Sequence, residues 1–192
     1  MSSEVTANGV CKDNIFRMLF NNQSKAAELY NAIKGTNYAP DALSMNTIEN
    51  PLSLGTLLND VSFTVEDKVI IFFENNSSID PNIGLNFLLY IAELYESSIG
   101  RSQILYKENK IELPEPEFYM IYSGTDQYPE QTTLKLSDLF DAQDGGKHSL
   151  KLTIRVYNVN KGYNEDILAR SKTLYDYAAF ISKVRDDKET GA

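Results

Sequence analysis

The stretch LLNDVSFTVEDKVIIFFEN, residues 57–75, decides the fold. It contains two runs rich in β-branched and aromatic residues, Leu57 to Val65 and Lys68 to Asn75. The polar pair Glu66 and Asp67 separates them, and a short polar break between two such runs predicts a β-hairpin. The segment VIIFFE in the second run is apolar on both faces, so we expect a central strand rather than an edge strand.

This hairpin predicts that two acidic side chains lie close together. With the turn centred on Glu66 and Asp67, residues whose numbers sum to about 133 or 134 lie opposite one another. Asp60 is then opposite Phe73 or Glu74, and in direct register the two Cβ atoms would be roughly 5 Å apart. Side chains alternate along a strand, so Glu74 and Asn76 share a face. An Asp, a Glu and an amide therefore converge at one end of the sheet.

Two carboxylates at this spacing repel each other, and burying them without a partner costs several kcal/mol. A bound cation removes the conflict. Magnesium, or manganese in its place, suits such a site because Mg²⁺ takes one or two carboxylates, keeps several waters and completes its shell with substrate phosphate. Such an ion polarises a phosphodiester and lowers the pKa of bound water. The spacing alone equally fits two polar strand ends in solvent, with Asn75 and Asn76 in a turn.

Helical and strand patterns flank the hairpin. Apolar spacing predicts a helix from Lys12 to about Lys34, with Asn21 to Ser24 as an interruption that caps a second helix. Gly35 to Pro51 has the composition of an irregular connection. The later elements are a helix in NFLLYIAELYESS, a strand in PEFYMIYSG that ends at Gly124, a strand over His148 to Asn158 and a helix over Glu165 to Val184. This order predicts an α/β domain with a mixed central sheet flanked by helices.

The length of 192 residues suits one domain. We place it at residues 12–185, between a flexible N-terminus at 1–11 and a polar tail at 186–192. The start has no secretory signal pattern, and no apolar stretch reaches the length of a membrane span. The lone Cys11 and the lone His148 provide no disulfide and no Cys/His zinc cluster, and neither has an evident catalytic partner. These features favour a cytoplasmic protein with no membrane partner.

The charge distribution bears on nucleic-acid binding. The net charge of −9 argues against generic nucleic-acid binding, because phosphate contacts need clustered Lys and Arg. The charge is uneven: residues 35–100 hold one basic residue, Lys68, against nine acidic ones, whereas residues 144–192 hold nine basic and seven acidic ones. The middle of the chain suits cations and its end suits phosphate, although a solvated acidic surface explains the same counts.

Residues 58–96 resemble the core of the recombination-promoting nuclease (Rpn) and transposase family of the PD-(D/E)XK superfamily. In that family an Asp, a hydrophobic strand, a Glu-His-Gln-Ser motif and an Asn-Pro-Asn-Met-Pro-Leu-Arg motif precede a helix. Further segments resemble the opening helix and the later strands of the family. They are KDNIFRMLF at residues 12–20, LPEPEFYMIYSG at 113–124, LKLSDLFDA at 134–142 and SLKLTIRVYNVN at 149–160.

The resemblance implies a restriction-endonuclease-like fold and a role in DNA recombination or transposition. Asp60 and Glu74 match the metal-binding acids, Asn76 matches the position of the catalytic Lys, commonly Gln in this family, and Asp13 matches a supporting acid in the first helix. Family members usually continue further, so the polar ending RDDKETGA suggests a short form or a truncated C-terminal region.

Two departures from the family pattern weaken the expected contacts to phosphate. Asn76 is uncharged and cannot act as a cationic stabiliser of the transition state. Met-Pro-Leu-Arg is replaced by residues 83–86, Ile-Gly-Leu-Asn, which removes an Arg. Lys12 or Arg17 of the first helix offers a substitute charge, and Lys172, Lys183 and Arg185 offer weak contacts to the DNA backbone.

We therefore expect a magnesium-dependent DNA endonuclease, with Asp60 and Glu74 as metal ligands and Asn76 as an orienter of the attacking water. The alternative is a catalytically impaired DNA-binding or protein-interaction domain that keeps the nuclease fold. DNA is the expected partner, and a homodimer is left open beside a monomer. Metal-dependent nicking of plasmid DNA distinguishes the endonuclease hypothesis from the binding-domain hypothesis.

Overall fold

A computed structural model describes residues 15–46, 61–99, 110–140 and 148–189. Its strands form a six-stranded sheet: β1 Leu43–Met45, β2 Val61–Val65, β3 Val69–Asn76, β4 Glu115–Tyr122, β5 Gln131–Lys135 and β6 Thr153–Asn158. The helices are α1 at residues 15–20, α2 Gln23–Lys34, α3 Ile83–Ile99, α4 Glu165–Arg170 and α5 Lys172–Glu189. Short 3₁₀ turns cover Pro40–Ala42 and Leu136–Leu139. The expected α/β class, a mixed sheet flanked by helices, is confirmed.

The sheet has the strand order β1-β2-β3-β4-β6-β5. β3 and β4 are parallel, β4 and β6 are parallel, and the other neighbouring pairs are antiparallel. β3 lies in the interior of the sheet, as its two apolar faces predicted. The carboxyl ends of β3, β4 and β6 consequently meet along one edge of the sheet.

Two hydrophobic clusters cover the two faces of the sheet. On one face, α2, α4 and α5 pack against a cluster that includes Ile71 and Phe73 of β3. On the other face, α3 packs against a cluster that includes Ile70 and Phe72 of the same strand. Because side chains alternate along a strand, Glu74 and Asn76 lie on the same face of the sheet as Ile70 and Phe72.

The β2–β3 hairpin has the predicted turn and register. Three residues, 66–68, lie between the paired Val65 and Val69, and the first two of them, Glu66 and Asp67, have positive φ of 49° and 56°, a backbone twist that suits a hairpin. The residue numbers of each pair sum to 134, from Val61 opposite Phe73 to Val65 opposite Val69. The strand predicted from Leu57 is described from Val61 onward, and its earlier residues lie outside the described part.

The first predicted helix is interrupted where the sequence indicated. Residues 21 and 22 separate α1 from α2, and the Asn22 side chain accepts hydrogen bonds from the backbone N–H groups of Ser24 at 3.0 Å and Lys25 at 3.3 Å. This is the capping role that Asn commonly takes at a helix start. α2 then ends at Gly35, which adopts the left-handed conformation with φ 70°.

Two strands and one helix break were not predicted. The connection predicted to be irregular contains β1, which pairs with β2. The loop predicted before LKLSDLFDA contains most of β5, which ends at the second residue of that segment and pairs with β6. The helix predicted over Glu165 to Val184 is two helices separated at Ser171, and the second continues to Glu189. Within the described residues, no helix combines the length and apolar character needed to cross a bilayer.

Candidate functional site

Glu74 and Asn76 occupy the carboxyl end of β3 and project from the same face of the sheet, the face covered by α3. Glu74 is half-buried, and its Oε2 atom is buried. The Asn76 side chain is also half-buried, and its Nδ2 lies 3.5 Å from the Sδ atom of Met120 on β4. The prediction that these two polar side chains share a face is confirmed.

The two other predicted acids lie outside the described residues. Asp60 directly precedes Val61, the residue opposite Phe73, and Asp13 precedes α1. Their contacts with Glu74 therefore stay predictions. Among the described residues no group of three or more His, Cys, Asp or Glu side chains is arranged to hold a metal ion. The oxygen donors of Glu74 and Asn76 match the hard ligands that Mg²⁺ prefers.

The segment between β3 and α3 has its own polar network. Asp80 accepts a hydrogen bond at 2.8 Å from the backbone N–H of Asn82 and another at 3.0 Å from Nδ2 of Asn86. Asn86 ties the start of α3 to the preceding loop. Gly84 is buried, and a Cβ atom there would lie 3.0 Å from Cα of Leu136. The absence of a side chain at Gly84 lets the start of α3 pack closely against the 3₁₀ turn at Leu136.

Polar residues also lie at the carboxyl ends of β4, which pairs with β3, and of β6, which pairs with β4. Ser123 and Asn158 are both buried, and the Ser123 N–H donates to the Asn76 carbonyl at 2.9 Å. The Asn158 side chain donates to the Tyr128 carbonyl at 3.0 Å and accepts from the backbone N–H of Asn160 at 3.1 Å. These hydrogen bonds fix the loops that leave β4 and β6 at the same edge as Glu74.

Arg185 of α5 reaches this edge from the opposite face. Its guanidinium donates to the carbonyl oxygens of Ser123 and Gly124 and to Oδ1 of Asn160 at 2.9 Å. The Nε atom is buried and has no hydrogen-bond acceptor among the described residues. Burial lowers the pKa of Arg185 from its ordinary value, although an Arg side chain stays charged. A half-buried positive charge therefore lies beside the end of β4.

A cavity of about 520 Å³ opens beside Arg185, at the carboxyl ends of β4 and β6. Its walls come from the loop after β4, the loop after β6 and the C-terminal half of α5. The lining is mostly polar and includes Asp126, Tyr128, Lys161, Tyr163 and Ser182. Its volume falls within the range of small-molecule sites, about 300–1,000 Å³.

The three basic residues proposed as DNA contacts lie in different surroundings. Lys172 is exposed and forms an ion pair with Asp176 one turn along α5. Arg185 is thirteen residues further on, about 20 Å along the helix axis. Lys183 is exposed beside an adjoining hollow that Tyr175 and Ala179 help to line. These residues do not form a single basic patch.

His148 belongs to the other end of the sheet. It precedes β6, and its ring centroid lies 5.5 Å from that of Phe140. A hollow of about 270 Å³ beside it is lined by Lys135, Ser137 and Lys151. His148 is therefore remote from the carboxyl ends where Glu74 lies.

A second charged cluster lies along the middle of the sheet. Lys34 of α2 donates to both carboxylate oxygens of Glu117 at 2.8 and 3.1 Å, and the Tyr119 hydroxyl also donates to Glu117. Arg155 donates to the Tyr119 hydroxyl at 3.1 Å. Burial raises the pKa of Glu117, but the hydrogen bonds from Lys34 and Tyr119 and the positive charges of Lys34 and Arg155 outweigh burial and hold the pKa below its ordinary value. Burial and the Glu117 carboxylate raise the pKa of Tyr119. This cluster joins α2 to the sheet.

We did not predict from the sequence that residues at the carboxyl ends of β4 and β6 line a common cavity. The signal was present, since Ser123 and Gly124 follow one strand and Asn158 and Asn160 end the other. Polar residues after neighbouring parallel strands meet at one sheet edge. Arg185 also continues the helical spacing of the buried residues Leu174, Tyr177 and Ile181.

Comparison of the chain with family models, with curated proteins and with solved structures finds no match.

Proposed function

We propose that this domain is a magnesium-dependent DNA endonuclease whose metal site includes Glu74 at the carboxyl end of β3. The observation that carries the proposal is the hairpin geometry. Glu74 and Asn76 share a face of an interior strand, and the neighbouring strand β2 runs antiparallel in the register that the sequence predicted. The proposal requires this register to extend one residue beyond Val61, so that Asp60 faces Glu74.

In this proposal Asp60 and Glu74 supply carboxylate oxygens to the ion, with Asp13 as a supporting acid. Magnesium, or manganese, when bound supplies the charge that polarises the phosphodiester and lowers the pKa of a bound water. The Asn76 amide orients the attacking water by a hydrogen bond. Water adds to phosphorus and one P–O ester bond breaks, which leaves a phosphate monoester and a hydroxyl group that takes up a proton.

The fold class and the resemblance to the Rpn family support the same proposal. An interior strand that carries an acid on the face of a packed helix provides a rigid base for a catalytic carboxylate. A DNA partner follows from the resemblance, and a cytoplasmic location and a homodimer are further parts of the proposal. The net charge of −9 implies that binding to DNA depends strongly on the bound cation and on salt.

A second candidate, a non-cleaving binding domain, is favoured by the surroundings of Asn76. Its amide is uncharged, and its Nδ2 faces the Met120 sulfur at 3.5 Å. The position of the family Arg is Asn86, which is bonded to Asp80. Under this second hypothesis the domain binds DNA or protein, and neither Glu74 nor Asn76 takes part in bond cleavage.

Nicking of supercoiled plasmid separates the two candidates. The full chain is incubated with Mg²⁺ or Mn²⁺ at several salt concentrations, with EDTA as the metal-free control. Under the nuclease proposal, Asp60→Asn and Glu74→Gln each abolish nicking. Glu66→Gln in the hairpin turn, at the opposite end of β3, leaves nicking unchanged. No nicking by the wild-type chain with either metal would reject the nuclease and favour the binding domain.

A further inference from the structure

The cavity beside Arg185 occupies a distinctive place in the fold. β3 leads into α3 on one face of the sheet, whereas β6 leads into α4 and α5 on the other face. In open α/β sheets, ligands bind outside the carboxyl ends of the strands at the point where connections diverge to opposite faces. The cavity lies at this point, between the loops that follow β4 and β6.

The lining of the cavity is balanced in charge and rich in hydrogen-bonding groups. Two cationic, two anionic and two aromatic side chains contribute to its walls: Lys161, Arg185, Asp126, Asp186, Tyr128 and Tyr163. A ligand that carries only negative charges would bind weakly here, because the two carboxylates of the lining offset its two cations. A ligand with one acidic group, hydroxyl groups and a flat ring system can use all three kinds of side chain.

We propose that this cavity binds one nucleoside monophosphate unit of a nucleic-acid strand. Lys161 and Arg185 face the phosphate, since cationic side chains form the strongest hydrogen bonds with phosphate oxygens. Asp126 accepts a hydrogen bond from a sugar hydroxyl. Tyr163 stacks on the base, an interaction that tolerates any base because each has a flat aromatic face.

The position of the cavity relative to β3 links it to the proposed nuclease. Asn76 pairs in register with Tyr122, and Tyr122 pairs with Asn158. Two strand spacings, about 10 Å in total, therefore separate the end of β3 from the end of β6. This inference deepens the proposed function, on which it rests for the identity of the polymer: a strand cleaved at Glu74 on the α3 face would pass the carboxyl ends of β4 and β6 and place another of its nucleotides in the cavity.

Titration of the ¹⁵N-labelled full chain with thymidine 5′-monophosphate tests the inference. EDTA is present throughout, so binding does not depend on a metal site. We expect saturable amide shifts that centre on Gly124, Lys161 and Ser182, with weaker binding of both thymidine and inorganic phosphate. Shifts confined to the surroundings of Glu74, no saturable shifts, or equal binding of inorganic phosphate would overturn the proposal.

Variants sharpen the assignment. Lys161→Ala should weaken binding of the monophosphate by about two- to five-fold, the effect of losing one exposed charge contact, and should leave thymidine binding unchanged. Tyr163→Leu removes stacking and should weaken binding of both ligands by at least about five-fold. Lys68→Ala, in the turn at the opposite end of the sheet, is the matched control and should change neither. Unchanged binding in both cavity variants would also overturn the assignment.

The nicking assay and the titration fail independently. Monophosphate binding in a chain that cuts no plasmid would support the cavity and reject the nuclease. Metal-dependent nicking in a chain that binds no monophosphate would support the nuclease and reject the cavity.

Discussion

Two polar clusters are built on the same parallel strands, and they handle buried charge differently. In the Glu117 cluster, each charged side chain has a partner of opposite charge: Lys34 lies 2.8 Å and Arg155 3.8 Å from the carboxylate. At the carboxyl ends, the acceptors of Arg185 among the described residues are neutral oxygens of Ser123, Gly124 and Asn160. The charges of the Glu117 cluster therefore pair with one another inside the fold.

The difference separates a structural role from a binding role. A carboxylate that is partly buried with its counter-charges holds two elements together. The half-buried guanidinium of Arg185 donates its hydrogen bonds to neutral acceptors, and the carboxylate of Asp186 lies near enough to act on its charge, so this end of the sheet presents charges of both signs to a ligand. Substitutions in the first cluster should therefore reduce stability, whereas those at the carboxyl ends should reduce binding or catalysis.

The largest expected effect is the loss of activity in Glu74→Gln. The variant keeps the shape of the side chain and removes its charge, so we expect plasmid nicking to fall by at least about 100-fold, comparable to the loss of one electrostatic catalytic group. Thermal unfolding measured by circular dichroism should change by only a few degrees. A large loss of stability together with undiminished nicking would show that Glu74 has a structural role like that of Glu117 and would contradict its proposed catalytic role.

Glu117→Ala should produce the opposite pattern. The substitution removes the acceptor of Lys34 and Tyr119, and hydrogen bonds to charged groups contribute about 1.5–3 kcal/mol each. We expect the free energy of unfolding in urea to fall by about 2–3 kcal/mol. Nicking at a temperature well below the unfolding midpoint should be retained. Lys68→Ala, whose ion pair with Glu66 is exposed, is the control with little expected change.

Gly124→Ala tests how closely the ends of β3 and β4 approach. A Cβ atom at Gly124 would collide with the carbonyl oxygen of Ser77 and the hydroxyl of Tyr122. We expect a loss of about 1–3 kcal/mol from overpacking, measured by urea unfolding, and weaker monophosphate binding because the loop that carries Asp126 shifts. Gly162→Ala meets no atom within 4 Å but has φ 88°, so it should lose about 1 kcal/mol through backbone strain alone. Ligand binding by Gly124→Ala that equals that of the wild type would contradict this account.

The smallest expected effect is the pH dependence of the Glu117 contribution. The pKa of this carboxyl is lowered in the folded chain, so its contribution is fully present above the unfolded value of about 4.3 and is lost as pH falls through the folded value. The stability difference between wild type and Glu117→Gln should be largest near neutral pH and should shrink below about pH 4. Urea titrations across this range measure the difference, and a gap that widens in acid would show the opposite sign.

The sequence predicted the hairpin because its signals are local. The two turn residues and the alternation of VSFTV and VIIFFE lie within a few residues of each other, and they determine both register and face. β1 and β5 were missed because their stability comes from strand pairing. β1 has three residues, and β5 buries no side chain fully. Neither has the apolar pattern on which strand prediction depends.

The break between α4 and α5 was missed for a related reason. Glu28 of α2 accepts hydrogen bonds from the Ser171 hydroxyl at 2.9 Å and the Thr173 N–H at 2.8 Å, and these residues are more than 140 positions away in sequence. In the candidate site, too, local features could be predicted from the sequence and contacts between distant segments could not. The shared face of Glu74 and Asn76 followed from strand alternation, whereas the approach of Arg185 to Ser123 depends on the packing of α5 against the sheet.

The parallel pairing of β3 with β4 has a consequence for the order in which the chain folds. The β2–β3 hairpin closes through a three-residue turn and can form within about 1–10 μs. β4 can pair with β3 only after the chain between Asn76 and Glu115 has returned to the same end of the sheet, and such non-local pairing is slow. We expect the hairpin to form the early nucleus and α5 to dock late. Substitutions at Phe73 should therefore slow refolding, whereas those at Ile181 should mainly accelerate unfolding.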